Sequence, residues 1–259
     1  MQQTYLPGVS LLHRLHPLTK LVAAITVIVV TYLFPWPWLP PAIFVLLIAF
    51  ALLGGVAGSL LNIVWRLVLP ITISLFLIQG LLFPYAGATI IAAFGPLHVT
   101  REGLLFAYGI SARLVILTTT VLLVLKTTHP ADLVNALATL GLPRSIGYIL
   151  LVSLQIVPDI SARATAILEA QRSRGLETER GFFRVGALLP LFTPLVVGAL
   201  ADVEERAMAL ESRAFFATGP RTTLRTLVDT AAQRVARVAL LLLLVGLVVL
   251  RFTMFRGVL

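Results

Sequence analysis

Two short stretches of this sequence carry arginines whose chemistry is distinctive. Arg174 and Arg213 lie 39 residues apart, and each closes a charged run that favours helix. Their flanking residues are too small to hide them: Ser173 and Gly175 for the first, Ser212 and Ala214 for the second. A guanidinium offers five donors in a fixed fork and tolerates interface burial better than an ammonium. The repeat therefore predicts two projecting arginines, each suited to an acidic or carbonyl-lined cleft on a partner.

A plainer role for these arginines is also open. An arginine at the end of a helix complements the helix dipole, and Gly175 is the kind of residue that terminates a helix. The recurrence of the triplet favours docking, because two coincident caps explain the similarity less well than two equivalent contact points. The nearby Arg172, Arg180 and Arg184 are expected to face lipid headgroups or solvent.

Other chemistry is largely excluded by composition. The chain has no cysteine, and its four histidines are scattered without metal-ligand spacing. No catalytic serine elbow, phosphate-binding glycine loop or paired-carboxylate site is recognisable. We therefore expect no catalytic residue, no metal site and no cofactor on this chain.

The distribution of apolar and charged residues indicates a membrane protein. Of 259 residues, 59% are hydrophobic and only 12% are charged, whereas soluble domains carry about 25% charge. The net charge of +9 comes from 18 arginines and two lysines. In a membrane protein such an excess reflects cytoplasmic loops that are rich in basic residues, so no nucleic-acid partner is expected.

Five apolar runs are long enough to cross a bilayer, at 18–34, 42–58, 67–83, 103–125 and about 236–255. The placement of lysine and arginine predicts a cytoplasmic N-terminus and an outer C-terminus. The predicted fold class is an all-α integral membrane protein with about five transmembrane helices and a cytoplasmic set of amphipathic helices. The predicted domains are a membrane domain at 1–125, cytoplasmic helices at 126–235 and a last transmembrane helix at 236–259.

Two runs inside the polar segment leave the topology open. Residues 146–157 are apolar but short, and 185–201 contain Pro190 and Pro194. Helices are predicted over 130–140, which Gly141 ends, over 161–174 after Pro158, and over about 195–216. If 185–201 crossed the membrane, the two triplets would lie on opposite sides, so joint action requires this run to lie against the membrane.

Polar side chains within the spans are few. Arg113 lies in the middle of the fourth run, where a charge costs at least about 2.5–3.5 kcal/mol. A role in a substrate path is open, but bonding to carbonyls or to Gln79 and Asn62 is the favoured interpretation. On the predicted helix near the C-terminal triplet, Asp202 and Arg206 are spaced to pair.

Four segments together resemble the transmembrane T component of energy-coupling factor (ECF) transporters, a family that includes the permeases of cobalt and nickel importers. They are 10–21 (SLLHRLHPLTKL), 131–144 (ADLVNALATLGLPR), 171–175 (QRSRG) and 210–215 (LESRAF). The resemblance extends in order over essentially the whole chain. It implies a multi-pass scaffold in a prokaryotic cell membrane, without enzymatic activity of its own.

The resemblance also implies partners. Two ABC-type ATPases, which bind ATP and magnesium, would dock on the cytoplasmic helices through Arg174 and Arg213. A separate small membrane protein, the S component, would bind a vitamin or metal ion and contact the apolar runs, for which Leu150 and Leu195 are the candidates. The family triplet is typically Ala-Arg-Gly; Ala214 replaces its second glycine, and alanine enters the left-handed region less readily.

Two other classes of protein remain open at this point. A self-contained secondary transporter would carry its own substrate site, and a membrane anchor would recruit a partner without ATP-dependent work. The first would bind substrate as an isolated chain. The second would not lose transport when coupling alone is impaired.

Overall fold

The computed structural model describes residues 10–82, 89–94, 97–175, 185–217, 219 and 229–255. The chain divides into two compact units, one of residues 2–141 with 227–259 and the other of residues 142–226. The first is called the membrane unit and the second the paired-helix unit.

The elements of the described residues, numbered in chain order, are almost all helical. In the membrane unit they are α1 (Leu11–Arg14), α2 (Pro17–Leu33), α3 (Leu39–Leu53), α4 (Ala57–Leu77) with a π-helical extension (Ile78–Leu82), β1 (Ile90–Phe94), β2 (Leu97–Thr100), α5 (Arg101–Thr127), α6 (Pro130–Thr139) and α9 (Ala231–Phe255). In the paired-helix unit they are α7 (Arg144–Ser173) and α8 (Val185–Ser212). The predicted all-α fold is confirmed, with one small hairpin added.

Four described helices are long and apolar enough to cross a membrane: Ala57–Gly80, Arg101–Thr127, Ser145–Ser173 and Ala231–Thr253. Two further apolar helices, α2 and α3, are shorter, with 17 and 15 residues. All five predicted runs therefore coincide with helices.

The boundary between the second and third runs differs from the prediction. The sequence placed the second run up to residue 58 and began the third at residue 67, but α4 begins at Ala57. The reason is the turn at Gly54 and Gly55. Gly55 has a φ of +68°, a conformation that suits glycine and ends α3 early.

Helix α5 is the centre of the membrane unit, where it packs against α2, α3 and α4. Ala51, Leu60 and Ile116, from α3, α4 and α5, are almost completely buried in the shared core. Near its start α5 approaches the end of α4 closely at Gly103. A Cβ there would lie 2.2 Å from the Gln79 carbonyl oxygen, so only glycine fits.

The antiparallel hairpin of β1 and β2 was not predicted from the sequence. It lies in the 84–102 connection, immediately before α5. The Glu102 carboxylate accepts hydrogen bonds from the Thr89 hydroxyl and amide at 2.7 and 3.0 Å. The hairpin is thereby fixed to the first turn of α5.

Buried lysines join the helix ends at the opposite side of the membrane unit. The Lys20 Nζ donates to the Thr127 carbonyl at 2.7 Å, and the Lys126 Nζ donates to the Ser59 hydroxyl at 2.8 Å. These bonds connect α2 with the end of α5, and α5 with α4. A buried ammonium is stable only when its hydrogen bonds are satisfied, so the lysines fix the relative positions of these helix ends.

The last helix is tied to the start of α2 by a polar cluster. The backbone amide of His16 donates to the Gln233 side-chain oxygen at 2.8 Å, and the Arg237 guanidinium binds Asp229 at 2.5 Å. Burial alone would raise the pKa of Asp229, but the hydrogen bond and charge of Arg237 outweigh it and lower that pKa. The carboxylate therefore stays ionised where the chain enters α9.

The paired-helix unit corrects two predicted boundaries. The predicted break at Pro158 is absent, because α7 continues for 30 residues through that proline. Likewise α8 is one helix of 28 residues that includes Pro190 and Pro194, so the runs 185–201 and 195–216 are not separate elements. Each proline removes one backbone hydrogen bond, and the remaining bonds of a long helix carry the chain across the gap.

Candidate docking site

The two helices of the paired-helix unit lie antiparallel. Arg163 of α7 forms an ion pair with Asp202 of α8, with Nη2 and Oδ2 2.8 Å apart. The Tyr148 ring, near the start of α7, contacts the Phe215 ring just beyond α8 at a centroid distance of 5.1 Å. Residue numbers thus fall along one helix as they rise along the other, and the two C-terminal ends point in opposite directions.

The ion pair occupies equivalent positions of the internal repeat. Arg163 precedes Arg174 by 11 residues, and Asp202 precedes Arg213 by the same 11 residues. At 1.5 Å per residue, each arginine lies about 16 Å along its helix from the ion pair. Because the helices run in opposite directions, the two arginines are separated by about 33 Å. The structure therefore places them at the two ends of the pair and does not bring them together.

The first triplet forms a helix C-terminus with a left-handed glycine. Arg174 is the C-cap of α7, and Gly175 has a φ of +87°. The Gly175 amide donates to the Arg172 carbonyl at 2.9 Å, which satisfies one of the last carbonyls of the helix. The Ser173 hydroxyl donates to the Glu169 carbonyl at 3.1 Å, so this hydroxyl is bonded within its own helix.

The second triplet has the same backbone geometry despite its alanine. Ala214 has a φ of +52°, in the left-handed region, which costs about 1–2 kcal/mol for a residue with a Cβ. Its amide donates to the Glu211 carbonyl, and the Phe215 amide donates to the Leu210 carbonyl, both at 2.9 Å. These two bonds complete a Schellman motif. The Ser212 hydroxyl again bonds a carbonyl of its own helix, at 3.1 Å.

Both arginines are exposed beyond the ends of their helices. In the described parts of this unit, 142–175 and 185–217, no ion pair or hydrogen bond engages either guanidinium. Each side chain follows a serine that is bonded to its own helix and precedes a residue in the left-handed conformation. Over these described residues, the arrangement presents two equivalent guanidinium groups without a partner, each at the C-terminal end of a helix.

Exposed apolar side chains are concentrated on the part of each helix up to the ion pair, with Met208 further along α8. On α7 they recur at helical spacing on one face: Ile146, Ile149, Leu150, Leu154, Val157 and Ile160. On α8 they are Phe192, Val196, Val197, Leu200 and Val203. Leu150 is exposed and Leu195 is half-buried, and the antiparallel pairing places them in different halves of the unit. Large exposed apolar surfaces mark contacts with lipid or with another protein.

The ion pair between the helices was not found by sequence reasoning. The sequence suggested Arg206, four residues along the same helix, as the partner of Asp202, whereas its carboxylate binds Arg163. The signal was available, because Arg163 and Asp202 are separated by the same 39 residues as the two docking arginines. Only the pairing of the helices shows that this offset brings opposite charges together.

Arg113, which the sequence associated with Gln79 and Asn62, has a different neighbour. Its guanidinium carbon lies 5.6 Å from the centroid of the Tyr32 ring, a cation–π arrangement. Over the described residues no group of three or more histidine, cysteine or acidic side chains is placed to hold a metal ion.

These helices define a multi-pass membrane protein, and comparison with known proteins gives its family. The CbiQ family, described as "Cobalt transport protein", matches residues 8–224. The chain is 30% identical over 265 aligned residues to the energy-coupling factor transporter transmembrane protein EcfT of Thermosediminibacter oceani, with 96% of each chain covered. It is 29% identical to EcfT 1 of Listeria monocytogenes, covering 95% of this chain and 96% of that one. It is 32% identical to EcfT of Exiguobacterium sibiricum, covering 85% and 87%.

The chain therefore belongs to the CbiQ family of cobalt transport proteins. The predicted family, the T components of ECF transporters, is confirmed by the names of these relatives.

Proposed function

We propose that this protein is the membrane scaffold of an ECF-type importer and performs no catalysis itself. The single observation that carries the proposal is the pair of equivalent, exposed arginines at opposite ends of an antiparallel helix pair. Relatives over nearly the full length are named transmembrane proteins of such transporters, which supports the same role.

The separation of the arginines favours two partner subunits. One cleft cannot hold both guanidinium groups. About 33 Å separates the two helix positions that carry them, and an extended arginine side chain is several times shorter than that. On this proposal each guanidinium enters a carbonyl- or carboxylate-lined groove of one ABC-type ATPase. The ATPases would hold ATP and magnesium, and the scaffold would need no cofactor of its own.

The two continuous helices give the proposed scaffold its means of coupling. When the two ATPases approach or separate, they move the arginine-bearing ends of α7 and α8. The Arg163–Asp202 pair joins the helices near the middle, so displacement at one end of a helix is accompanied by displacement of its apolar half. The S component, bound to those apolar halves at Leu150 and Leu195, would then shift within the membrane.

Co-purification with the host's ATPases tests this proposal. Tagged wild-type chain is compared with Arg174→Glu, Arg213→Glu and the double variant, and Arg172→Glu is the matched control on the same helix end. Replacing a buried, hydrogen-bonded charge costs about 2–5 kcal/mol, so each docking variant should weaken ATPase retention about thirtyfold or more. The control should retain the ATPases.

The outcomes separate the alternatives. Equal retention by all variants would reduce the arginines to helix caps. If the wild type retrieved no ATPase, the scaffold proposal would fail, and substrate binding by the isolated chain would indicate a secondary transporter instead. ATPase retention together with loss of transport in a coupling variant would argue against a simple anchor.

A further inference from the structure

A cavity in the membrane unit contains a charged side chain that the proposed function does not use. It has a volume of about 240 Å³ and lies between the end of α2, the following loop and the first half of α5. Its lining includes Phe34, Trp36, Leu105, Tyr108 and Arg113. The lining thus combines aromatic rings with one guanidinium.

Arg113 lies nearer to the membrane surface than its place in the sequence implies. The Tyr108 hydroxyl donates to the Pro37 carbonyl at 2.8 Å, which aligns Tyr108 with the loop between α2 and α3. Arg113 follows Tyr108 by five residues and so lies about 7.5 Å below that loop. A long arginine side chain reaches the polar boundary from this depth, which lowers the cost of placing it in a span.

The loop itself has the composition of a membrane–water boundary. Trp36 and Trp38 are stacked at a centroid distance of 5.6 Å, and Phe34 lies 5.3 Å from Trp36. Both tryptophans are more than half exposed, at 52% and 60%. Tryptophans are enriched at the level of lipid headgroups, where an amphipathic ring contacts both phases. This composition is typical of a loop at the level of the lipid headgroups, and the cavity lies beside it.

The Arg113 guanidinium lies beside an aromatic ring. Its central carbon is 5.6 Å from the centroid of the Tyr32 ring, within the range of a cation–π contact. The five N–H donors of a guanidinium point outward in its plane. In the part of the chain that the structure describes, no carboxylate forms an ion pair with Arg113. Planar donors of fixed geometry, in surroundings of low polarity, favour a bidentate anion such as a phosphodiester.

We propose that this cavity binds the phosphate of an anionic phospholipid, with Arg113 as the phosphate ligand and Tyr32 as its positioning residue. The lipid is favoured over free phosphate because the lining is mainly aromatic and apolar. Leu105, which lines the cavity, and Tyr32, which lies beside Arg113, are 56% and 51% exposed, so acyl chains can continue from the headgroup over these side chains. This site is independent of the docking arginines.

Native mass spectrometry of the full-length chain tests the proposal. The protein is extracted in mild detergent, and bound phosphatidylglycerol is titrated beside neutral diacylglycerol and inorganic phosphate. Wild type should retain one phosphatidylglycerol, and Arg113→Gln should bind it about tenfold more weakly, as expected for loss of a charged hydrogen bond. Arg113→Lys should lie between them, because an ammonium lacks the planar fork.

Two further variants keep the test decisive. Arg101→Gln removes the same charge at the start of the same helix but outside the cavity, so it should bind as wild type does. Tyr32→Leu leaves the arginine in place and should weaken binding by a smaller factor if the ring orients it. Equal binding by wild type and Arg113→Gln, or an equal loss in Arg101→Gln, would overturn the site. Displacement of the lipid by millimolar phosphate would show that the ligand is the free anion.

Discussion

The antiparallel pairing of α7 and α8 predicts a measurable distance between the two triplets. The chain has no cysteine, so Ser173→Cys and Ser212→Cys introduce the only two sites for spin labels. Each serine lies ten residues from its member of the Arg163–Asp202 pair, or about 15 Å along the helix. The two labels should therefore be about 30 Å apart. Double electron–electron resonance on the full-length chain in lipid measures this distance directly.

Reversing one charge of the Arg163–Asp202 ion pair should weaken the contact between α7 and α8. In Arg163→Asp an attractive contact becomes a repulsion between two carboxylates. The side chains are 48% and 33% exposed, so solvent screening limits the pair to about 0.2–1 kcal/mol, and the added repulsion is of similar size. The lost attraction and the added repulsion together destabilise the helix pair by about 1 kcal/mol. This should raise the population of separated helices about fivefold. The distance distribution should broaden without losing its main peak, because the contact of Tyr148 with Phe215 persists.

The charge-swapped chain, Arg163→Asp with Asp202→Arg, is the control and should restore the narrow distribution. A label separation below about 20 Å in the unmodified background would refute the antiparallel arrangement, because the tips would then lie side by side. If the single reversal and the swap both gave the wild-type distribution, the ion pair would have no part in holding the helices.

Four other substitutions test the paired-helix unit. Leu150→Glu or Leu195→Glu should release the S component while the ATPases stay bound, since a charge in an apolar contact loses its solvation; co-purification of both partners measures this, and Glu204→Gln on exposed α8 surface is the control. Unchanged retention in both would remove these residues from the contact. Gly175→Ala should weaken ATPase retention by about 1 kcal/mol through backbone strain alone, because nothing lies within 4 Å of the added Cβ. Ala214→Gly should strengthen it slightly, and opposite signs would show that the left-handed turns do not position the arginines.

The sequence predicted this fold well where periodicity and end signals agree. Pro130 at the first turn and Gly141 beyond the end define α6, and Gly141 has a φ of +98° as such a terminus requires. The errors arise where a single residue was taken as a helix boundary. Pro158 was read as a helix start, yet the apolar face before it and the polar residues after it belong to one helix. Local propensity does not count the hydrogen bonds that continue on both sides.

The candidate site was predictable in its parts but not in its arrangement. Ser-Arg-small indicates a helix end, and Gly175 behaves as its type suggests. Ala214 does not, because two backbone hydrogen bonds hold the turn in the left-handed conformation that alanine alone disfavours. Arg163 and Asp202 were each visible in the sequence. Their contact depends on helix packing over a separation of 39 residues, which no local pattern specifies.

The 39-residue spacing of the repeat accounts for the symmetry of the paired helices. Two antiparallel helices that meet at equivalent positions are related by an approximate two-fold axis through the contact. Arg163 and Asp202 lie at that axis, and opposite charges at these positions allow them to bind where identical residues would repel. Arg174 and Arg213 lie at equal distances on either side. If the proposed ATPases form a pair with its own two-fold axis, the scaffold offers each the same helix end in the same orientation. An internal repeat in one chain thereby matches the symmetry of a two-subunit partner, and a scaffold with a single triplet could not.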